Sequence, residues 1–528
     1  MKYNIKNTKL KLVTLLLASS FGVLQSCDDL VNESPISASD PNNFFQDNQQ
    51  LRSGLIAAYD GLQESYATHY LRWGEFRSDN VSPSPAATDV LSLSVHNSSM
   101  DPGATSILRW NELYQCIDRA NRVINGAANI VSPDRNVLAQ ALAIRAKVYF
   151  DMTRVWGDIP VFTEAVTTPE DAFVSVTPSE TIMNDIVIPD MLRANELILT
   201  NSSEFEFSKS SVLALIAEVY MSLNTPATTQ LAKDAMLELV ALGEHSLVTT
   251  PEDWQNLFIN QPSTNAFPEG PGKVQRGPEL IFSIKYNPPI DFTPSTVFPR
   301  YAGGAKNTVI EESLEELWTE RFPIDTLWDE LYPDTPPVFT REVLVDDVMV
   351  EEPVYGDWRY FASREEGDFE AGVGSVEVGN ARIHKWQKNR TGLVNNLDAT
   401  DLVLYRYADI ILLLAEAELK LGNVGPALDL VNEIRTARQL PLVTMVDFGA
   451  STDDQLEYIL TERRFELLGE GKRWWDLVRN DLVEETMNPI ISDRLGADAT
   501  LITPDRIFWP ILSEHLIDNP NLSQNQGW

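Results

Sequence analysis

Apolar side chains recur along much of this chain at the spacing of a helix face. Ala232, Ala235, Met236, Leu239 and Val240 follow at i, i+3, i+4, i+7 and i+8, so all five share one side of a helix. Ala427, Leu430, Val431 and Ile434 repeat the arrangement. Ser208–Leu223 is a further apolar run of helical length. Leu402–Leu421 is another; it stops at Gly422, and Pro426 opens the helix after it. Ser132-Pro133 supplies an N-cap and a first-turn proline for a helix over Asn136–Trp156, closed by Gly157 and Pro160. Thr177-Pro178-Ser179-Glu180 reads as a capping box, and Pro189 predicts a kink or an end for the helix it starts. These helix–short turn–helix units lie near the tetratricopeptide period of about 34 residues. No strict repeat consensus is visible, so they read equally as unrelated helical hairpins. Both readings give a mainly α scaffold.

The middle of the chain breaks this pattern. Fourteen of the 31 prolines lie between Pro251 and Pro353, interspersed with glycine and aromatic residues. That composition suits ordered loops with short strands and helices. Within it, Glu279–Tyr286 alternates as a strand does. The expected organisation is a leader over 1–26, a helical region over 27–245, an irregular insertion over 246–400 and a second helical region over 401–528.

The leader follows from the first thirty residues. Lys2, Lys6, Lys9 and Lys11 form a basic start, Leu12–Leu24 is apolar, and Leu24-Gln25-Ser26-Cys27 ends it. These are the physical parts of a secretory signal, and the apolar run is too short to span a bilayer. The cysteine directly after a small residue resembles a bacterial lipobox, which makes Cys27 the acylated residue and the anchor. Asp28-Asp29 behind it looks like the surface-export signal of Bacteroidetes lipoproteins. The formal net charge is −36, and the leader carries four lysines and no acid, so its removal makes the body more acidic still. Phosphate backbones and anionic lipid would repel such a body, so nucleic acid is not expected as a partner. With Cys27 lipidated, Cys116 has no partner for a disulfide, and its apolar setting reads as helix interior.

The search for catalytic chemistry is negative. The five histidines are scattered and form no His-Glu-x-x-His. Gly469–Arg473 lacks the spacing of a phosphate loop, and no nucleophile elbow is present. Acidic pairs such as Glu311-Glu312 and Glu315-Glu316 read as solvated surface, and no EF-hand spacing marks calcium. No catalytic residue, cofactor or metal is expected, and a glycosidase built on an acid pair is the minor alternative. Aromatics carry more. Trp73 precedes Arg77, Asp79 and Asn80, while the insertion adds Tyr301, Trp318, Trp328 and Tyr332. Sugar rings stack their C–H faces on aromatic rings, and their hydroxyls suit bidentate Asp, Asn and Arg. These eight residues are the candidate ligand contacts, on two facing walls.

Several segments resemble the SusD/RagB family of Bacteroidetes outer-membrane lipoproteins. They are Trp110–Gly126, Arg145–Asp151 running into Trp156–Pro160, Arg406–Ile410 with Ala415-Glu416-Ala417, Glu462–Leu467, Gly469–Leu477 and the closing run Asn519–Trp528. Leu512 and Gln526 stand where the family often has proline. Glu462, Arg463, Arg464, Glu466 and Arg473 in these motifs suit ion pairs that fix helix packing. The resemblance implies a helical, tetratricopeptide-like fold and no enzymatic activity. It implies a surface protein that captures an oligosaccharide, or in the RagB branch a peptide. That ligand would pass to a SusC-like, TonB-dependent outer-membrane barrel. It transfers no ligand residue, since family ligand residues lie mainly in variable loops.

Overall fold

The computed structural model describes residues 45–67, 69–84, 87, 90–103, 106–164, 166, 168–259, 275–286, 308–325, 327–332, 335–345, 348–364, 381–383, 385–386 and 400–528. The leader, Cys27 and Tyr301 lie outside the described residues. Helices dominate. Asn48–Tyr66 packs on Asn111–Ala127, which pairs with Arg135–Trp156. Lys209–Ser222 and Pro226–Leu242 form a second hairpin, and Tyr407–Lys420 with Val424–Ala437 a third. The second and third stack through Pro226–Leu242 and Tyr407–Lys420, so early and late helices form one scaffold. Its axis is covered all round: Lys209–Ser222 and Tyr407–Lys420 are buried along almost their whole length, and the acids Asp409 and Glu416 of the second are held in ion pairs there. Cys116 lies in this core with its Sγ facing the Ala58 carbonyl at 3.4 Å.

Several local expectations meet a different outcome. The Arg135–Trp156 helix is capped by Asp134, which accepts from Asn136 and Val137, and not by Ser132. The Thr177 capping box does not form: the helix begins at Ser179 with no side-chain cap, and the Ser179 amide donates to Asp158 at 2.8 Å. Pro189 does not end its helix. A π turn over Met183–Val187 precedes Ile188–Leu197 and absorbs the missing donor. Leu402–Arg406 is a strand, with the helix beginning at Tyr407. It pairs antiparallel with Leu280–Ile284, Leu280 opposite Arg406 and Ile284 opposite Leu402. Both strands are buried on both faces, so neither alternates, and periodicity alone cannot separate such a run from a buried helix.

The insertion supplies two more pairings. Val81–Pro83 pairs with Thr308–Ile310, and Phe339–Val345 with Val348–Val354. It is tied to the late helices by buried ions. Glu466 accepts from Arg359, Arg406 and Arg438 at 2.7–2.8 Å, and Glu279 from Arg406 and Arg438 at 2.9 and 2.8 Å. All five side chains are fully buried. Burial alone would raise the Glu466 carboxyl, but the three guanidiniums outweigh it and hold it well below the usual carboxylate range. Glu315, read from sequence as solvated, is buried too and pairs with Arg364 at 2.7 Å.

Candidate functional site

The two predicted ligand walls do meet, but as a packed seam. Val81 lies opposite Ile310, and the Glu311 amide donates to the Asn80 carbonyl at 3.0 Å. The side chains then turn inward. Trp73 stacks with His69 and sits edge-on to Tyr66 and Trp156. Arg77 lies 4.3 Å over the Trp474 ring and donates to Ser98 and to the carbonyls of Arg506 and Ile507. Asp79 is held bidentately by Arg473 at 2.7 and 2.9 Å, with Arg464 at 3.2 Å. Asn80 donates to Glu75 at 2.9 Å and accepts from Arg464 at 3.0 Å. Trp318 donates to Asp357 at 2.9 Å and stacks on Phe465. Trp328 packs between Phe322 and Tyr332. All six are buried, so their rings and charges contact protein. Tyr332 is half-buried, with its ring against Trp328.

Glu75 shows how tightly this seam closes. Its carboxylate accepts from the amides of Gly469 and Gly471 at 2.8 and 2.9 Å. Burial pushes it up to about 7 against those two hydrogen bonds and the one from Asn80. A side chain on Gly74 would run into the Gly471 carbonyl at 1.8 Å, so the backbones meet directly there.

The open cavity with aromatic walls lies elsewhere. It encloses about 290 Å³ between the start of the Asn111–Ala127 helix, the loop after Pro160 and the segment His515–Leu522. Trp110, Tyr114 and Asp118 stand one turn apart on one helix face. Trp110 stacks on His515 with centroids 4.8 Å apart and planes 9° apart, and Tyr114 meets Phe162 edge-on at 5.4 Å. The Phe162 backbone is fixed on both sides. Its carbonyl accepts from Asn121 and Tyr149, each at 2.8 Å, and its amide donates to the Tyr149 hydroxyl at 2.7 Å. Asn519 and Asn521 donate to the carbonyls of Val174 and Phe173 at 2.8 and 2.7 Å, which fastens the closing segment to the loop. Phe173 stands 46% exposed at the rim.

The electrostatics of this groove are one-sided. Asp118 pairs with Arg122 at 2.7 Å. Glu164 and Asp518 form no ion pair among the described residues, and no lysine or arginine lines the cavity. Burial lowers His515 below its ordinary value against Glu514 and Asp518, so the imidazole adds no charge near neutrality. The arrangement takes a flat apolar group whose edge carries hydrogen-bond donors or positive charge. Sequence reasoning missed these residues. The signal available was the i, i+4, i+8 spacing of Trp110, Tyr114 and Asp118.

A second cavity, of about 60 Å³, lies among Arg154, Glu218, Tyr405, Asp409 and Lys472. Arg154 pairs with Glu218 at 2.7 Å and Lys472 with Asp409 at 3.0 Å, leaving space on the scale of one or two waters. Among the described residues no group of three or more histidine, cysteine or acidic side chains is placed to hold a metal. No described helix is long and apolar enough to cross a membrane.

Comparison with known proteins covers nearly all of the chain. The profile of the SusD family matches residues 372–528, and a profile described as starch-binding, associating with outer membrane, matches 30–221. SusD-like protein P38 of Formosa agariphila is 38% identical over 524 residues, covering 97% of this chain and 98% of that one. SusD-like protein P2 of the same organism is 26% identical over 99% of both. Among solved structures, a SusD superfamily protein of Bacteroides vulgatus superposes with a TM-score of 0.68 at 19% identity, over 92% of this chain and 100% of that one. Surface glycan-binding protein A of Bacteroides fluxus does so with a TM-score of 0.68 at 18% identity and the same coverage. The shared fold is the helical one described above.

Proposed function

The chain belongs to the SusD family, and on that premise we propose that it is the non-catalytic glycan-capturing lipoprotein of an outer-membrane uptake complex. Cys27 anchors it through acyl chains, and its ligand passes to a SusC-like, TonB-dependent barrel, because a binding protein outside the cell cannot itself move a ligand inward. The observation that carries the reading is full-length likeness to a SusD-like protein. The starch-binding profile and the glycan-binding structural neighbour support the ligand class. A helical body closed by buried ions is a rigid support, and rigid supports commonly present binding loops. Of the eight predicted contacts, Tyr332 is the described one that is not fully buried, and we assign it to the glycan surface.

Native affinity electrophoresis against a panel of soluble polysaccharides tests the ligand class, and retardation by at least one is expected. Calorimetry with the retained glycan should then show Tyr332→Ala binding about tenfold more weakly, on the stacking scale of roughly 1–3 kcal/mol per ring. Retention by peptides and by no glycan would place the chain in the peptide-binding branch. Cys27→Ala should release the protein from membranes; unchanged retention sinks the anchor.

A further inference from the structure

The aromatic groove holds two polar atoms that the fold leaves unused. His515 lines the cavity at 7% exposure, and its buried Nε2 has no hydrogen-bond partner among the described residues. Asp118 lines it too. Its Oδ2 accepts from Arg122 at 2.7 Å, while its Oδ1, also buried, has no partner among the described residues. A buried polar atom without a partner costs free energy, and it calls for water or a ligand in the space beside it. The walls around these atoms are ring surface. His515 covers one face of Trp110, so that ring serves as floor. Tyr114 and Phe162 are half-buried and edge-on to one another, and Phe173 stands open at the mouth. Asn521 holds the Phe173 carbonyl at 2.7 Å, so this backbone is fastened before any ligand arrives.

Resting on the glycan-capture reading above, we propose that this groove is a saccharide site separate from the Tyr332 surface. It takes a short neutral segment, with a sugar ring's C–H face on Phe173 and its hydroxyls on His515 Nε2 and Asp118 Oδ1. Tyr332 is not among the residues that line it. A hydroxyl both donates and accepts, so it serves a carboxylate oxygen and also an imidazole nitrogen in either tautomer. A cation only donates, and so serves the imidazole in one tautomer alone. Charge sets the second limit. Glu164 and Asp518 line the cavity, and no lysine or arginine does, so sulfate and carboxylate groups on a glycan are repelled. Size sets the third. The volume of about 290 Å³ lies at the low end of the roughly 300–1,000 Å³ typical of small-ligand sites, which fits a short segment of chain.

The experiment uses the whole chain, isotope-labelled at its five histidines. Starch, mannan, xylan and galactan are coupled to resin, each as the neutral polymer and as its carboxymethyl derivative. Wild type should be retained by at least one neutral polymer, and more strongly than by its carboxymethyl form. A short oligosaccharide of the retained polymer is then titrated while the imidazole signals are followed by NMR. His515→Phe assigns the His515 signal by its loss, keeps the stacking on Trp110, and should melt no lower than wild type because an unpaired buried nitrogen is removed. In wild type the His515 signal should shift saturably. Phe173→Ala, at an exposed site, should raise the half-saturating concentration about tenfold, on the scale of one stacked ring, with its melting temperature unchanged. A His515 signal that stays still while the polymer is retained overturns the groove and leaves glycan capture standing. Equal half-saturation in Phe173→Ala and wild type also overturns it. Equal or stronger retention by the carboxymethyl polymer overturns the neutral ligand. A wild-type chain that no polymer retains overturns glycan capture and the groove together.

Discussion

The Glu466 cluster and the aromatic groove use the same side-chain types to opposite ends. Around Glu466, carboxylates meet guanidiniums beside aromatic rings; Trp254 donates to Glu466 at 3.2 Å. Each charge there has a partner and none reaches water. In the groove, carboxylates stand beside aromatic rings, and among the described residues only Asp118 is in an ion pair. What separates the two is where the cations went. Fourteen lysines and arginines are buried among the described residues, against fifteen acids. The interior is thus close to neutral, and the net charge of −36 is carried almost wholly outside it. The protein spends its guanidiniums on closing the fold, and Glu164 and Asp518 at the groove rim form no ion pair among the described residues.

The comparison breaks most visibly at Glu466. Glu466→Ala removes the carboxylate that Arg359, Arg406 and Arg438 share and leaves them to Asp357, Glu462, Glu279 and Glu470, and breaking a buried ion pair costs about 3–5 kcal/mol. Denaturant unfolding should show a loss of that size; a loss below about 1 kcal/mol would mean the cluster is not what holds the insertion. Asp79→Asn is the smaller, pH-dependent version. Burial alone would raise the Asp79 carboxyl, but Arg464 and Arg473 prevail and hold it well below the usual carboxylate range. A carboxyl depressed in the folded state contributes stability above its unfolded value of about 3.9 and loses it as pH falls through the lower folded value. The gap between wild type and Asp79→Asn should be about 1.5–3 kcal/mol at pH 7, on the scale of hydrogen bonds to charged groups, and should narrow below pH 4. A gap that widens in acid contradicts the assignment. At the other end of the comparison, Phe173→Ala and Asp518→Lys should each change stability by no more than about 0.5 kcal/mol, as exposed sites do, while altering glycan binding.

How much of this was legible depends on how far apart the contacting residues lie. Helical hairpins declare themselves by spacing, because that signal lies within one element. Leu402–Arg406 hid its extended form because the strand that covers it lies more than a hundred residues earlier. Six of the predicted ligand contacts are buried in the fold for a chemical reason. Arg, Asp, Asn and tryptophan together are what a sugar site uses, and also what a buried ion and cation–π network uses. Arg77 over Trp474 and Asp79 under Arg473 are that network. Glu462, Arg463 and Glu466 were readable as packing ions because they sit on an apolar-patterned helix, and the structure pairs each of them. The groove was illegible because three distant segments build it, each contributing four to six ordinary-looking residues.

The Glu466 cluster also dictates a schedule for folding. Arg438 reaches the Val248 carbonyl across 190 residues of chain and Glu279 across 159. An intermediate that buried Arg406 or Arg438 before Glu279 and Glu466 arrived would hold naked charge in an apolar medium. Partial structures of the late hairpin are therefore penalised, and the segments from Val248 to Glu466 must dock together. Such long-range closure is slow compared with local helix formation. The early hairpins can form first and wait, while the insertion and the late helices remain open until one concerted step dehydrates all five ions.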